Sequence, residues 1–251
     1  MGQVNYFSAI YLAAGHGSRI SALTHRPKCL LKLNQESLLE RSFRIWKSLG
    51  IKDVVLVLGY EADMIRNIAQ NYEMDFNISY KLNADYKKQG NTFSLYLGIE
   101  DVNNTSLIFD ADLIYDEVVL KDFINHGHHS EILVGAASIN DIECAKTLID
   151  DKQFARMTVD KRAISDEELK KYQFAGEAIG ILKFSQEHTR ALKQNAEKFL
   201  KTPGKLHLNW EHLLNEFLQN HDVGIFKIKE GRSIEIDTPE DFQRAREIFE
   251  G

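Results

Sequence analysis

Tyr11-Leu12-Ala13-Ala14-Gly15-His16-Gly17-Ser18-Arg19, followed eight residues later by Pro27-Lys28, is the stretch that decides how this chain folds. The apolar run Phe7 to Leu12 leading into it reads as a buried strand, and two alanines and two glycines follow at once. Without a large Cβ substituent in the way, backbone amides can approach a phosphate or a base edge closely. Arg19 adds a flat cationic fork and Lys28 a point charge, which suits a nucleoside triphosphate. Two better-known glycine patterns do not apply. The dinucleotide fingerprint would need glycine where Ile20 stands and an acidic ribose partner near Leu58 and Gly59, and the phosphate loop would need Gly-Lys followed by Ser or Thr.

Working outward, apolar strands alternate with amphipathic helices, the pattern of a mostly parallel sheet covered on both faces. Strands are expected near 7–13, 53–58, 77–82 and 105–110, with helices near 37–49, 61–72, 92–101 and 117–126. Ser37 is placed to cap the first helix, and Leu38, Leu39, Phe43 and Trp46 recur at helical spacing, which puts Trp46 in the core. Residues 131–184 read as further strands broken by a polar insertion from Asp160 to Lys171. Helices near 186–200 and 208–220 follow, then two short strands. A last helix enters at Thr238, with Pro239 at its first position and Asp241 in place of the usual capping-box Glu.

Asp110 and Asp112 close the strand Leu107-Ile108-Phe109, and residues two apart on a strand face the same way. In an open α/β sheet the ligand crevice lies beyond the carboxyl ends of the strands, where Gly15, Asp112 and Asp237 all fall. Carboxylates there can hold a magnesium ion that neutralises a triphosphate.

The 251 residues are enough for one α/β domain, with a nucleotide-binding part over about 1–130 and an acceptor-binding part over about 131–251. A net charge of −6 argues against a nucleic-acid binder. Cys29 and Cys144 form no metal spacing, and His126, His128 and His129 sit at a helix end where a solvated or cation-friendly role explains them. No secretion leader or membrane segment is expected, and Met1-Gly2 opens like a myristoylation signal but has Tyr6 where Ser or Thr is wanted. A cytoplasmic monomer or homodimer is the expectation.

The segment Ala9 to Arg41 resembles the nucleotidyltransferases that activate sugar phosphates and small alcohol phosphates. The later landmarks Gln89 to Tyr96, Ile108 to Asp112, Trp210-Glu211 and Glu235 to Asp241 resemble the bacterial phosphocholine cytidylyltransferases most closely, over nearly the whole chain. The resemblance implies a three-layer Rossmann-like fold with a mixed, mostly parallel central sheet. It implies CMP transfer from CTP, with Mg2+, to a small phosphorylated alcohol or phosphonate and release of pyrophosphate. Phosphocholine is the first acceptor in that reading and 2-aminoethylphosphonate the second. It assigns Lys28 and Arg19 to catalysis, Asp112 and Asp237 to the metal, and Asp110 to support.

In the same reading the nucleotide is held by Leu12, Ala13, Ala14, Gly15 and Gly17, and its base by Gln89, Gly90, Asn91, Thr92 and Ser94. Trp210 and Glu211 match a Trp-acid pair for an ammonium group, with Tyr172, Phe174 and Glu177 as further acceptor contacts; Trp210 could equally be core. The family places an aromatic after the fifth strand, but Asn140 to Leu148 has none. Lys146 could instead hold an acidic group of the acceptor, or be a surface lysine. A sugar- or inositol-1-phosphate nucleotidyltransferase is the nearest alternative, and a non-catalytic nucleotide sensor a more distant one.

Overall fold

The computed structural model describes residues 6–20, 24–228 and 233–250; the Met1-Gly2 start lies outside them. In chain order the first strands and helices are β1 (Phe7–Ala13), β2 (Lys32–Leu33), β3 (Glu36–Ser37), α1 (Leu38–Ser48), β4 (Asp53–Leu58), α2 (Ala62–Ala69), β5 (Asn77–Leu82), α3 (Asn91–Ile99), β6 (Thr105–Asp110), β7 (Leu113–Tyr115) and α4 (Glu117–Asn125). The second half adds β8 (Glu131–Gly135), β9 (Lys146–Ile149), β10 (Ala155–Val159), α5 (Asp166–Leu169), β11 (Gln173–Phe184), α6 (Gln186–Lys201), α7 (Trp210–Phe217), β12 (Gly224–Lys227), β13 (Ser233–Glu235) and α8 (Pro239–Phe249).

β6, β1, β4 and β5 lie side by side and parallel, so β1 is apolar along its length because it is central and covered on both faces. Ala9, Tyr11 and Ala13 pack with Phe43 and Trp46 of α1 and Phe123 of α4. Ile10 and Leu12 point the other way, to Leu95 of α3, Leu192 and Phe199 of α6, and Leu213 and Phe217 of α7. Trp46 and Ile10 are fully buried, each contributing roughly 1.5–3 kcal/mol of transfer free energy. The expected three-layer α/β fold with a mixed, largely parallel sheet is the fold observed.

Beyond β6 the pairing turns antiparallel. The long β11 runs antiparallel to β6, β9 and β8, while β10 extends the β9 edge and β12 joins β8 in parallel. A third cluster, Ile20, Leu31, Ile114, Ile234, Ile236 and Ala245, fastens α8 and the β7–β13 pair beside the end of β1.

Local signals hold well. Ser37 and Glu40 form a reciprocal capping box at α1, and Thr238 and Asp241 form another at α8 behind Pro239. Helix ends differ from expectation by a few residues, with α7 shorter at 210–217 and α2 tightening into a 3-10 turn after Ala69. One local argument is corrected: β6 ends at Asp110, and Asp112 lies in the turn before β7, so strand alternation does not align the two carboxylates.

Candidate active site

The loop that leaves β1 opens into a cavity of about 270 Å³ whose lining includes Leu12, Ala13, Ala14, Gly15, Gly17 and Lys28. Gly17 has φ +65°, and a Cβ there would come within 2.7 Å of the Lys28 side chain. Only glycine lets the loop fold over that lysine. Lys28 Nζ donates to Asp112 Oδ2 at 3.0 Å and also pairs with Asp237, which Arg19 engages from the other side. Burial works against the charge on Lys28, but Asp112 and Asp237 outweigh it and hold its pKa above the usual value. Burial likewise opposes ionisation of Asp237, and Lys28 and Arg19 reverse the balance and lower it. Residues far apart in sequence thus converge at the carboxyl end of β1.

Asp110 lines the same cavity close to the Trp210 side chain; burial, then Asp112 and Glu211, push its pKa well up. Glu235, which the sequence reading left without a role, also reaches this place. Carboxylate oxygens of Asp112, Glu235 and Asp237 lie within 4.8 Å of one another, and Asp112 Oδ1 is buried without a hydrogen-bond partner. Glu235 keeps an exposed surface, yet crowding of its carboxyl into the cavity and the charges of Asp112, Asp237 and Asp110 push its pKa up. Three hard oxygen donors with one oxygen unsatisfied fit a divalent cation such as Mg2+. The two-residue spacing of Glu235 and Asp237 was the signal that could have found the third carboxylate.

The expected base-binding segment divides. Asn91 and Ser94 line the cavity, whereas Gln89, Gly90 and Thr92 do not. Gly90 donates its N–H to Leu206 O at 3.0 Å, and a Cβ there would meet Leu208 O at 2.1 Å. Thr92 Oγ1 donates to Leu208 O at 2.8 Å and so is a brace, not a helix cap. Asn91 Oδ1 accepts the Trp210 N–H at 2.7 Å, satisfying a free amide at the start of α7. These residues therefore fix the segment that carries Trp210 and Glu211.

Both of those line the cavity, and Trp210 is at once a wall and a core residue, only 2% exposed. Glu211 is 9% exposed, its Oε2 has no hydrogen-bond partner, and burial together with Asp160 pushes its pKa up to about 7. The structure places the other expected acceptor residues apart from the cavity lining. Tyr172 and Phe174 pack with Leu148, Val159 and Ile164 in a separate apolar cluster away from the cavity. Lys146 is fully buried, not a surface lysine, and its Nζ donates to the carbonyls of Asp141 at 2.6 Å and Cys144 at 2.9 Å, so its charge is committed to that loop. Glu177 faces Lys146 across the β9–β11 ladder, is half-buried, and is absent from the lining. In their place stand Glu143, Cys144, Asp160 and Lys161, none of them assigned from sequence.

The histidine cluster brings no metal donors together among the described residues; His126 pairs instead with the fully buried Glu131, which Lys183 also meets at 2.7 Å. No helix among the described residues is long and apolar enough to cross a membrane.

Comparison with known proteins shows the fold and the family of the chain. The chain is 27% identical to the choline-phosphate cytidylyltransferase of Streptococcus pneumoniae, over 96% of this chain and 97% of that one. It is 24% identical to the CTP:phosphoglutamine cytidylyltransferase of Campylobacter jejuni, over 92% of each. The solved CTP:phosphocholine cytidylyltransferase of S. pneumoniae superposes with a TM-score of 0.80 at 23% identity, covering 97% of this chain and 99% of that one. The MobA-like NTP transferase domain matches residues 9–167, and with that domain over more than half its length this chain belongs to the nucleotidyltransferase family the domain defines.

Proposed function

We propose that this enzyme transfers CMP from CTP to a small phosphate or phosphonate that carries an ammonium group, releasing pyrophosphate. The observation that carries the reading is one cavity with two ends: Arg19 and Lys28 against three carboxylates at one, and a buried carboxylate beside Trp210 at the other. The first end is assigned to the triphosphate and lies mostly within residues 1–130, the second to the acceptor and lies within 131–251. Asp112 and Asp237, with Glu235, are the residues that would hold Mg2+, which supplies charge neutralisation on the phosphates when bound.

An oxygen of the acceptor's phosphate attacks the α-phosphorus, a new P–O bond forms, and the bond to the β-phosphate oxygen breaks so that pyrophosphate leaves with the electron pair. The nucleophile arrives ionised, so no side chain has to remove a proton. Lys28 offsets charge at the α-phosphate and Arg19 holds the departing pyrophosphate. The amides around Ala13 to Gly17 cradle the nucleotide, and Asn91 and Ser94 face its base. CTP is preferred on the strength of the resemblance and of the two relatives named for cytidylyl transfer.

For the acceptor, a quaternary ammonium wants several aromatic faces. Trp210 is the one aromatic side chain in the lining among the described residues. A primary ammonium can instead donate to Glu211 Oε2, so 2-aminoethylphosphonate and phosphoethanolamine now precede phosphocholine. The test is pyrophosphate release with Mg2+ across CTP, UTP, dTTP, ATP and GTP, each against those three acceptors and against inositol 1-phosphate and glucose 1-phosphate. Turnover of CTP with an ammonium-bearing acceptor is the expected result. Turnover with only a sugar or inositol phosphate would overturn it.

A further inference from the structure

Three cations line the cavity, Arg19, Lys28 and Lys161, and the first two are both engaged with Asp237. Lys161 makes no ion pair among the described residues, and it is exposed at the acceptor end beside Asp160. Its backbone has φ +46°, a left-handed conformation that costs a residue with a side chain roughly 1–2 kcal/mol. At the same end, Glu211 is more than nine-tenths buried with Oε2 unpartnered, and its carboxylate feels both Asp160 and Lys161. The Lys161 ammonium and the unpartnered Glu211 carboxyl oxygen therefore line one cavity, with Asp160 beside them.

We infer that the acceptor is a zwitterion at the end remote from its phosphate: an ammonium that donates to Glu211 and a carboxylate that accepts from Lys161. This deepens the cytidylyl-transfer reading and rests on it. A plain amino alcohol phosphate would satisfy Glu211 and leave Lys161 to solvent, whereas a phosphorylated amino acid would engage both. The sequence suggested a lysine for an acidic group of the acceptor, but Lys146 has spent its ammonium on backbone carbonyls, and Lys161 is the lysine that remains. A charge-assisted hydrogen bond of this kind corresponds to about a tenfold or greater difference in affinity.

The test is calorimetric titration of the full chain, with CTP absent and present, using O-phospho-L-serine and phosphoethanolamine, which differ only in the carboxylate. O-phospho-L-serine is expected to bind at least about tenfold tighter. Lys161→Gly, which relieves the backbone while removing the charge, should collapse that ratio through phosphoserine, and Lys161→Arg should restore it. Equal affinities, tighter phosphoethanolamine, no phosphoserine binding, or a ratio that survives Lys161→Gly would each overturn the inference. CTP turnover with phosphoethanolamine alongside a failed ratio sinks only the zwitterion. A ratio that holds while no acceptor releases pyrophosphate from CTP sinks only the proposed reaction.

Discussion

The two ends of the cavity are built in different ways. At the triphosphate end, the loop after β1 and the turn after β6 leave adjacent parallel strands at their carboxyl ends, so one topological rule brings them together. At the acceptor end, Glu143, Asp160, Lys161, Trp210 and Glu211 come from loops around antiparallel strands and from the start of α7, and no such rule applies. The first end gathers Arg19, Lys28 and three carboxylates into one charged cluster. The second is held by specific side-chain braces, and it is the end where a substrate can be changed without rebuilding the sheet.

Substitutions can break or sharpen that contrast. The largest effect is expected at the triphosphate end, where Lys28→Ala or Asp112→Ala should lower kcat by about a thousandfold or more while circular dichroism shows the fold intact. Retained turnover in both variants would remove the mechanism. At the acceptor end, Glu211→Gln should raise KM for an ammonium-bearing acceptor about tenfold and leave KM for CTP unchanged, measured by steady-state pyrophosphate release.

The same residue yields a stability test. Its folded pKa of about 7 lies above the ordinary 4.5, so its contribution to stability is full below about 4.5 and is lost as pH rises through about 7. Thermal melts at pH 8.5 should therefore find Glu211→Gln more stable than the parent, by up to about 3 kcal/mol, with the advantage gone at pH 4.

Gly90 sharpens the comparison from another side, because it lies in the first half of the chain yet abuts Leu208 just before α7. Gly90→Ala should cost about 1–3 kcal/mol in urea unfolding and raise KM for the acceptor more than for CTP. An effect confined to CTP would return Gly90 to the base pocket. The smallest effect is expected at Tyr172, where Tyr172→Ala should cost about 1 kcal/mol and leave both KM values unchanged, since its ring packs only in the outlying cluster.

Much of this protein was legible from residue order alone. The buried strand before Gly15, the capping residues Ser37 and Thr238 and the core position of Trp46 all rest on short-range patterns: strand and helix periods, caps, and glycine at a close approach. Such patterns are local, and the parallel sheet converts them into a site by a general rule. Tertiary structure alone decided that Lys28 and Arg19 meet Asp237, that Lys146 is buried against carbonyls, that Gly90 and Thr92 brace α7, that Tyr172 packs elsewhere, and that Asp160 and Lys161 enter the cavity. The reason is physical. A polar side chain's role is set by which partners reach it first, and for these residues the partners lie across antiparallel ladders and loops whose register no local period encodes.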